Sequence, residues 1–302
     1  MAKLRHSRVG LPTPLLPTSG RLIILTLFVT FTILILILLA VNYVNNSISR
    51  NALRFLFNSI TSTHFPFFIS NSYIICSIIC RSKDGAGERW VETISWEPRA
   101  FLYHHFLTKE ECEHLINIAK PSIHKSVVVD SKTGKSVLSS IRTSSGTFLS
   151  RGADKIVRNI EKRIADFTFI PVEHGEGLQV LHYEVGQKYV PHLDYFRDEY
   201  NTRNGGNRIA TMLMYLSDVE EGGETVFPYA KGNFSSVPWW NELSDCGKKG
   251  ISIKPKMGDA IFFWSMKPNA TLDTSSLHGA CPVIKGDKWS CVKWMRADQY
   301  KT

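Results

Sequence analysis

Residues 178–195 read LQVLHYEVGQKYVPHLDY, and this stretch decides the fold that we expect. It holds two short extended runs, 178–183 and 188–193. Similar runs follow, separated by glycine-containing turn signals at 204–207, 221–223 and 257–259: 208–216, 224–227, 251–254, 260–264 and 288–295. Many short strands with such turns are typical of a jelly roll or a related double-sheet barrel, whose mouth can hold a metal. We therefore predict an α+β, mainly β fold with a double-stranded β-helix core.

Two helices are expected before these strands begin. Thr108-Lys-Glu-Glu111 fits a capping box, and apolar residues follow on one helical face. Asp154 fits the N-cap of a second helix with an apolar stripe between Ile156 and Phe167. Both helices are expected to support the sheet.

The stretch ends on a candidate metal site. His192 and Asp194 are two apart, so on an extended strand they project to the same side. A later strand could bring His278 across to complete a triangle. Two imidazoles and one carboxylate with open positions form the facial triad of non-haem Fe(II) oxygenases. His-x-Asp pairs also arise by chance, so the pattern alone leaves the metal open.

Lys288 starts the run 288–295, in which apolar and polar residues alternate as in a strand with one buried face. A buried ammonium needs an anionic partner because its desolvation is costly. If Lys288 faces the metal cavity, a carboxylate-bearing cosubstrate lying between them is expected. The alternative is that Lys288 faces solvent.

The chain has 302 residues, enough for one domain plus appendages. Residues 22–44 are nearly all apolar and long enough to span a bilayer, and they lack a small-residue cleavage site, which predicts an uncleaved anchor. More basic residues precede this anchor than follow it closely, which favours a cytosolic tail at 1–21 and a lumenal body.

Residues 45–89 are expected to form a stem or linker, and 90–302 the catalytic domain. The segment 55–81 is unusual, because 65–80 is apolar but short for a second span. It could be an interfacial segment, a stem, sequence outside the mature fold, or a span that returns the domain to the cytosol. The net charge of +9 is spread along the chain, so no nucleic-acid partner is expected.

Four ordered motifs resemble the prolyl 4-hydroxylase catalytic domain. They cover about 90–301 and, with the anchor, are most similar to the membrane-anchored plant type: 178–195, 142–149 (RTSSGTFL), 208–216 with 221–225 (RIATMLMYL, EGGET), and 278–283 with 286–289 (HGACPV, GDKW).

The resemblance implies roles for particular residues. His192, Asp194 and His278 would bind Fe(II), and Lys288 would form a charge-assisted bond to the distal carboxylate of 2-oxoglutarate. Further roles are implied for side chains at the cosubstrate and peptide sites: Thr211 and Tyr183 for the cosubstrate, and Trp294, Glu176, Arg142 and Ser145 for the substrate. The stretch 142–149 would be a flexible loop that folds over the substrate.

The implied reaction is 4-hydroxylation of peptidyl proline, in which O2 and 2-oxoglutarate are consumed and succinate and CO2 are released. The resemblance also implies L-ascorbate as an accessory reductant, and proline-rich secretory or cell-wall proteins in the polyproline II conformation as substrates. The expected location is the endoplasmic reticulum membrane, or the Golgi, as a single-pass type II protein with a lumenal catalytic domain.

Cysteines and glycosylation sequons agree with a lumenal setting. Four cysteines lie in the predicted domain, and they permit two disulfides with three pairings or buried free thiols. Sequons at Asn45, Asn233 and Asn269 predict a glycoprotein if they face the lumen.

Three other functions stay open. One is 2-oxoglutarate-dependent oxidation of another side chain, such as lysine. A second is a catalytically silent jelly roll that binds peptides, against which Lys288 argues because such a module needs no cosubstrate anchor. A third is a zinc hydrolase, against which the lack of an evident general base beside the triad argues.

Overall fold

The strands of this protein form two antiparallel layers that face each other. A computed structural model describes residues 89–129, 136–137, 140–237 and 239–301. Two α-helices lie in these ranges, α1 at Lys109–Ala119 and α2 at Lys155–Thr168. The strands in chain order are as follows: β1 Trp90–Trp96, β2 Arg99–His104, β3 His124–Lys125, β4 Val128–Val129, β5 Ser136–Val137, β6 Ser145–Leu149, β7 Leu178–Tyr183, β8 Tyr189–His192, β9 Arg208–Tyr215, β10 Glu221–Gly222, β11 Thr225–Phe227, β12 Ile251–Ile253, β13 Ala260–Trp264, β14 His278–Ala280, β15 Val283–Lys285 and β16 Lys288–Arg296.

The larger sheet has eight strands in the order β1-β2-β13-β9-β16-β7-β6-β3, and a smaller sheet has four in the order β12-β11-β14-β8. From β7 onward the chain passes repeatedly between the two sheets, and every ladder in them is antiparallel. Short ribbons, β10 with β15 and β4 with β5, complete the described strands. This alternation is that of a jelly roll and confirms the predicted mainly β class.

Alternate side chains on the central strands serve two different faces, as the pleat of a strand requires. Val180 on β7 and Met212 on β9 pack with the buried faces of the helices in one apolar core. Their neighbours Leu181 and Leu213 point the other way and line a cavity between the two sheets. One layer of the fold is therefore solid core, and the space between the sheets is left for a site.

Both predicted helices are confirmed, together with their caps. Thr108 and Glu111 form the reciprocal capping box at the start of α1, and Asp154 accepts a hydrogen bond from the backbone N–H of Val157 at the start of α2. Arg163 of α2 pairs with Glu111 at 2.7 Å, which ties the two helices together.

The expectation that strands begin only after the helices is wrong. β1 and β2 precede α1 and form a hairpin that extends the larger sheet beside β13. Buried and exposed residues do not alternate regularly along β1, so the alternating pattern that identifies a strand in a sequence is weak there.

The stretch 142–149 is not a loop over the substrate, which corrects that expectation. Residues Ser145–Leu149 form β6, paired with β7 along its whole length. A Cβ added to Gly146 would lie 2.7 Å from Leu181 Cδ2 and from the Val180 carbonyl. This glycine therefore allows close strand packing, and not movement.

The four cysteines of the domain form one disulfide and leave two thiols. Cys246 and Cys281 are bonded, with Cα atoms 5.7 Å apart. Cys112 and Cys291 are free and buried in the helix-side core. Burial raises the pKa of Cys112 to about 12, and it raises the pKa of Cys291 as well. These thiols are therefore unreactive core residues.

The predicted tail 1–21, anchor 22–44, apolar segment 55–81 and sequon at Asn45 lie outside the described residues. Within the described part of the chain, no helix is long and apolar enough to cross a membrane.

A half-buried histidine connects the N-terminal hairpin to the rest of the sheet. His104 contacts Asp259 through Nδ1 at 3.0 Å and Glu92 through Nε2 at 3.4 Å, and the ring of Trp90 stacks on it. Burial disfavours the imidazolium, but the bonds to Asp259 and Glu92 outweigh burial and raise the pKa of His104 to about 9. The hairpin is thus held by a charged imidazole.

This raised pKa predicts a pH-dependent stability. The pKa of a histidine in an unfolded chain is about 6.5. The stabilisation by protonated His104 is therefore complete below about pH 6.5, and it is lost as the pH rises to about 9, the pKa of His104 in the folded protein. In that window the free energy of unfolding should fall by up to about 1.4 kcal/mol per pH unit through this group. Urea denaturation of the full-length chain at several pH values measures the slope. His104→Gln should flatten it and His124→Gln, at an exposed position, should not; equal slopes for the parent and His104→Gln would contradict the prediction.

Candidate metal centre

The structure brings the three predicted ligands together on one face. His192 ends β8 and His278 begins β14, and the two are direct partners across the antiparallel ladder. Asp194 follows two residues after His192. Its Oδ1 lies 3.5 Å from Nε2 of His192, and its Oδ2 lies 3.6 Å from Nε2 of His278. One ligand atom from each residue lies within 4.8 Å of the others, a spacing that can hold a single metal ion.

Both imidazoles are fixed through the nitrogen that faces away from this centre. Nδ1 of His192 lies 3.0 Å from the carbonyl of Val190, and Nδ1 of His278 lies 3.0 Å from the carbonyl of Ser276. A carbonyl can only accept, so each Nδ1 donates, and in a neutral ring this leaves the lone pair on Nε2. The ring orientation and the tautomer are therefore those that metal binding needs.

The protonation states also suit a divalent metal. Burial lowers the pKa of His278 to about 4, so this imidazole is neutral at physiological pH. Burial opposes ionisation of Asp194, but the neighbouring imidazoles and Arg208 hold the pKa of its carboxyl well below its usual range. Two imidazole nitrogens and one carboxylate oxygen are a donor set that fits Fe(II) with open coordination positions.

A cavity between the sheets opens from this centre, and both layers contribute to its wall. The residues that line it besides the triad are mainly apolar or aromatic: Arg142, Leu181, Tyr183, Tyr189, Thr211, Leu213, Thr225, Gly279, Ala280, Val292 and Trp294. Such a wall suits a small organic ligand that reaches the metal.

Lys288 lies behind this wall. It is 1% exposed, its ammonium donates to the carbonyl of Gly223 at 2.6 Å, and it lies 5.3 Å from the ring centre of Tyr183. Among the described residues, no carboxylate is within salt-bridge distance of Lys288. Burial lowers its pKa to about 7, partly offset by the charge of Glu224. A buried amine of this kind is ready to pair with an incoming anion.

The hydroxyls predicted for the cosubstrate differ in their surroundings. Tyr183 is buried in the cavity wall beside Lys288. Thr211 also lines the cavity, but its hydroxyl donates to Asp194 Oδ2 at 2.6 Å. The sequence reasoning missed Thr225, which lines the cavity and accepts a hydrogen bond from Tyr215 at 2.7 Å, so this bond does not use the hydroxyl proton of Thr225. The sequence signals for Thr225 were its place in the predicted strand 224–227 and its position at the end of the motif 221–225 (EGGET).

Of the two residues predicted for the substrate site, Trp294 lies in the cavity wall and Glu176 lies behind it. Trp294 lines the cavity, and its indole N–H has no hydrogen-bond partner among the described residues although it is buried. Glu176 does not line the cavity. Its carboxylate accepts from Arg208 at 2.7 and 2.8 Å and from Arg296 at 2.6 Å. Arg208, which the sequence reasoning missed, lies 3.8 Å over the Trp294 ring.

Arg142 and Ser145 also differ from each other. Arg142 is buried, bonds Gln179 at 2.9 Å and lies over the ring of Tyr189, which itself stacks on His192 at 3.6 Å. Arg142 thus reaches the metal centre through a stack of rings. Ser145 is half-buried on β6, where it pairs with His182, and it is not part of the cavity wall.

Because the buried carboxylate of Glu176 pairs with two arginines, its removal should lower the stability of the fold strongly. Glu176→Gln should lower the free energy of unfolding by about 3–5 kcal/mol, because it leaves buried guanidinium groups without their counter-charge. Chemical denaturation measures the change. Glu173→Gln, at an exposed carboxylate three residues away, should change it by less than about 0.5 kcal/mol. A similar small loss for both variants would contradict the assignment of Glu176 as the charge centre of this cluster.

Comparisons with known proteins agree with this geometry. Residues 178–296 match the 2OG-Fe(II) oxygenase superfamily. The chain is 76% identical over 218 residues to probable prolyl 4-hydroxylase 10 of Arabidopsis thaliana, covering 72% of this chain and 75% of the relative. It is 70% identical over 219 residues to prolyl 4-hydroxylase 5 of Arabidopsis thaliana, with the same coverage.

Among solved structures, a viral collagen prolyl hydroxylase from Paramecium Bursaria Chlorella virus-1, in complex with 2OG, is 28% identical. It aligns with a TM-score of 0.47 over 66% of this chain and 96% of the viral one. The identities to the Arabidopsis proteins carry the assignment: the chain belongs to the prolyl 4-hydroxylase family, within the 2OG-Fe(II) oxygenase superfamily.

Proposed function

We propose that this protein hydroxylates C4 of proline residues in peptides, consuming O2 and 2-oxoglutarate and releasing succinate and CO2. The observation that carries the proposal is the convergence of His192, Asp194 and His278 beside a buried lysine. The lysine distinguishes this site from that of a silent binding module or a zinc hydrolase, neither of which needs an anchor for a dicarboxylate. The family's activity supports the choice of proline.

His192 Nε2, His278 Nε2 and a carboxylate oxygen of Asp194 would hold the iron. Fe(II) in such a site supplies the activation of O2 that is coupled to decarboxylation of the 2-oxo acid. The chain fixes the three donor atoms, leaves one side of the centre open to the cavity, and surrounds it with apolar groups that exclude water.

Lys288 would bind the distal carboxylate of 2-oxoglutarate. Once paired with that anion its amine is held in the protonated form, which makes the bond charge-assisted. Tyr183 and Thr225 line the cavity on the path toward Lys288, and Gly223, whose carbonyl holds the amine now, is two residues from Thr225. Their hydroxyls would donate to the carboxylate oxygens.

The peptide would lie across Trp294. Its free indole N–H can donate to a peptide carbonyl, and its ring offers a flat apolar surface to a proline. Arg208 supports the ring from one side, and Glu176 holds Arg208 in place. Arg142 would support Tyr189 in the same wall, whereas Ser145 on β6 lies outside the cavity wall. An extended polyproline II chain suits such an aromatic groove.

The physiological substrates would be proline-rich secretory or cell-wall proteins. L-ascorbate would restore iron that is oxidised in uncoupled turnovers.

Turnover tests the proposal. The full-length chain with Fe(II), 2-oxoglutarate and a poly-proline peptide should release succinate in proportion to 4-hydroxyproline. His192→Ala should lower this rate by more than about 100-fold, since loss of even an outer-sphere partner of a metal ligand costs 10–100-fold. His124→Ala, at an exposed histidine far along the chain from the triad, should leave the rate unchanged. Peptide-dependent succinate release that survives His192→Ala would refute the proposal.

We also propose that 22–44 anchors the protein in the endoplasmic reticulum or Golgi membrane, as a type II protein with residues 90–302 in the lumen. The Cys246–Cys281 disulfide supports this location, because disulfides persist in oxidising compartments. The two sequons in the described region, at Asn233 and Asn269, are both exposed and so accessible to a glycan.

Microsomes that carry the full-length chain test the location. The catalytic domain should resist protease until detergent is added, and peptide N-glycosidase should shift its electrophoretic mobility. Asn269→Gln should remove one glycan step, whereas Thr271→Ser, which keeps the sequon, should not. Digestion of the domain without detergent would place it in the cytosol and contradict the proposal.

A further inference from the structure

Each of the three metal-ligand side chains is held by one further partner, and for Asp194 this partner is Thr211. The two histidines lie at the ends of paired strands and donate through Nδ1 to backbone carbonyls. Asp194 lies beyond the end of β8 and takes part in no strand. Its carboxylate accepts a hydrogen bond from Thr211 Oγ1, at 2.6 Å to Oδ2. Thr211 is itself held firmly, in the middle of β9 between β13 and β16.

The direction of this hydrogen bond restricts what else Thr211 can do. Asp194 is ionised, so it can only accept, and the single hydroxyl proton of Thr211 must be the one shared. The carboxylates of 2-oxoglutarate are also acceptors only at neutral pH. Thr211 therefore has no proton left to donate to the cosubstrate while it holds Asp194.

We propose that Thr211 is a positioning residue that sets the orientation of the Asp194 carboxylate toward the metal, and that it is not a ligand of the cosubstrate. The inference rests on the metal site of the proposed function. Oδ1 faces His192 Nε2 at 3.5 Å and Oδ2 faces His278 Nε2 at 3.6 Å, but Oδ2 already accepts the hydrogen bond from Thr211, so Oδ1 is the oxygen with both lone pairs free. Coordination through this one oxygen keeps more of the metal's positions open for other ligands.

Thr225 supplies a matched comparison in the same cavity. It is equally buried, at 1% exposure, and equally a threonine on a strand facing the cavity. Its hydroxyl accepts from Tyr215 and keeps its own proton. The two threonines should therefore affect different steps: Thr211 the binding of the metal, and Thr225 the binding of 2-oxoglutarate.

Two titrations on the full-length chain separate these roles. Co(II) binding is followed by visible absorption in the absence of 2-oxoglutarate, and the KM for 2-oxoglutarate is measured at saturating Fe(II). Thr211→Val should weaken Co(II) binding by about 10–100-fold and leave this KM unchanged. Thr211→Ser, which keeps the hydroxyl, should restore Co(II) affinity. Thr225→Val should raise the KM and leave Co(II) affinity unchanged.

Circular dichroism and thermal melting check that each variant is folded, and Thr211→Ala gives a second side chain without a hydroxyl if valine is not accommodated. A raised KM with unchanged Co(II) affinity in Thr211→Val or Thr211→Ala would overturn the inference. So would equal loss of Co(II) affinity in Thr211→Ser and Thr211→Val. If the His192→Ala variant bound Co(II) as tightly as the parent chain does, that result would instead overturn the metal site, and with it the proposed function.

Discussion

The register between β8 and β14 is the constraint on which the rest of this structure depends. It places His192 directly opposite His278, so two imidazoles from distant parts of the chain meet on one face of the smaller sheet. Because side chains alternate along a strand, a slip by one residue would turn one of them away. The larger sheet then supplies what the smaller one lacks: Thr211 holds Asp194, and the inward residues of β7, β9 and β16 close the cavity.

Among the described residues, several buried charged side chains pair with an opposite charge, whereas Lys288 does not. On the helix side, Lys293 pairs with Glu161 at 2.6 Å, and both are almost fully buried. At the cavity edge, Glu176 neutralises its arginines in the same manner. Lys288 is as buried as these groups, yet among the described residues its ammonium has no carboxylate at salt-bridge distance. It contacts the Gly223 carbonyl and the ring of Tyr183, and Glu224 is more distant. This difference between Lys293 and Lys288, two lysines on the same strand β16, supports the proposal that Lys288 binds an anionic ligand.

Most of the fold and of the ligand set could be predicted because their signals are local. Short runs, turn glycines and helix caps each appear within a few residues, and His192 and Asp194 are two apart. Other features depend on contacts that spacing does not encode. The hairpin of β1 and β2 is defined by its neighbour β13. The stretch 142–149 was predicted to be a flexible loop, although its Gly146 permits close packing against β7. Arg208 and the hydrogen bond of Thr211 belong to this second class, since each is defined by a partner far along the chain.

The central claim is that three side chains hold one metal ion while Lys288 anchors a dicarboxylate. A crystal structure of the full-length chain with Mn(II) and 2-oxoglutarate, with the metal located by anomalous scattering, tests it most directly. We expect one metal peak within bonding distance of His192 Nε2, Asp194 Oδ1 and His278 Nε2, and the distal carboxylate paired with the Lys288 ammonium in place of the Gly223 carbonyl. A metal bound elsewhere, or a 2-oxoglutarate whose carboxylates leave Lys288 on Gly223, would contradict the account.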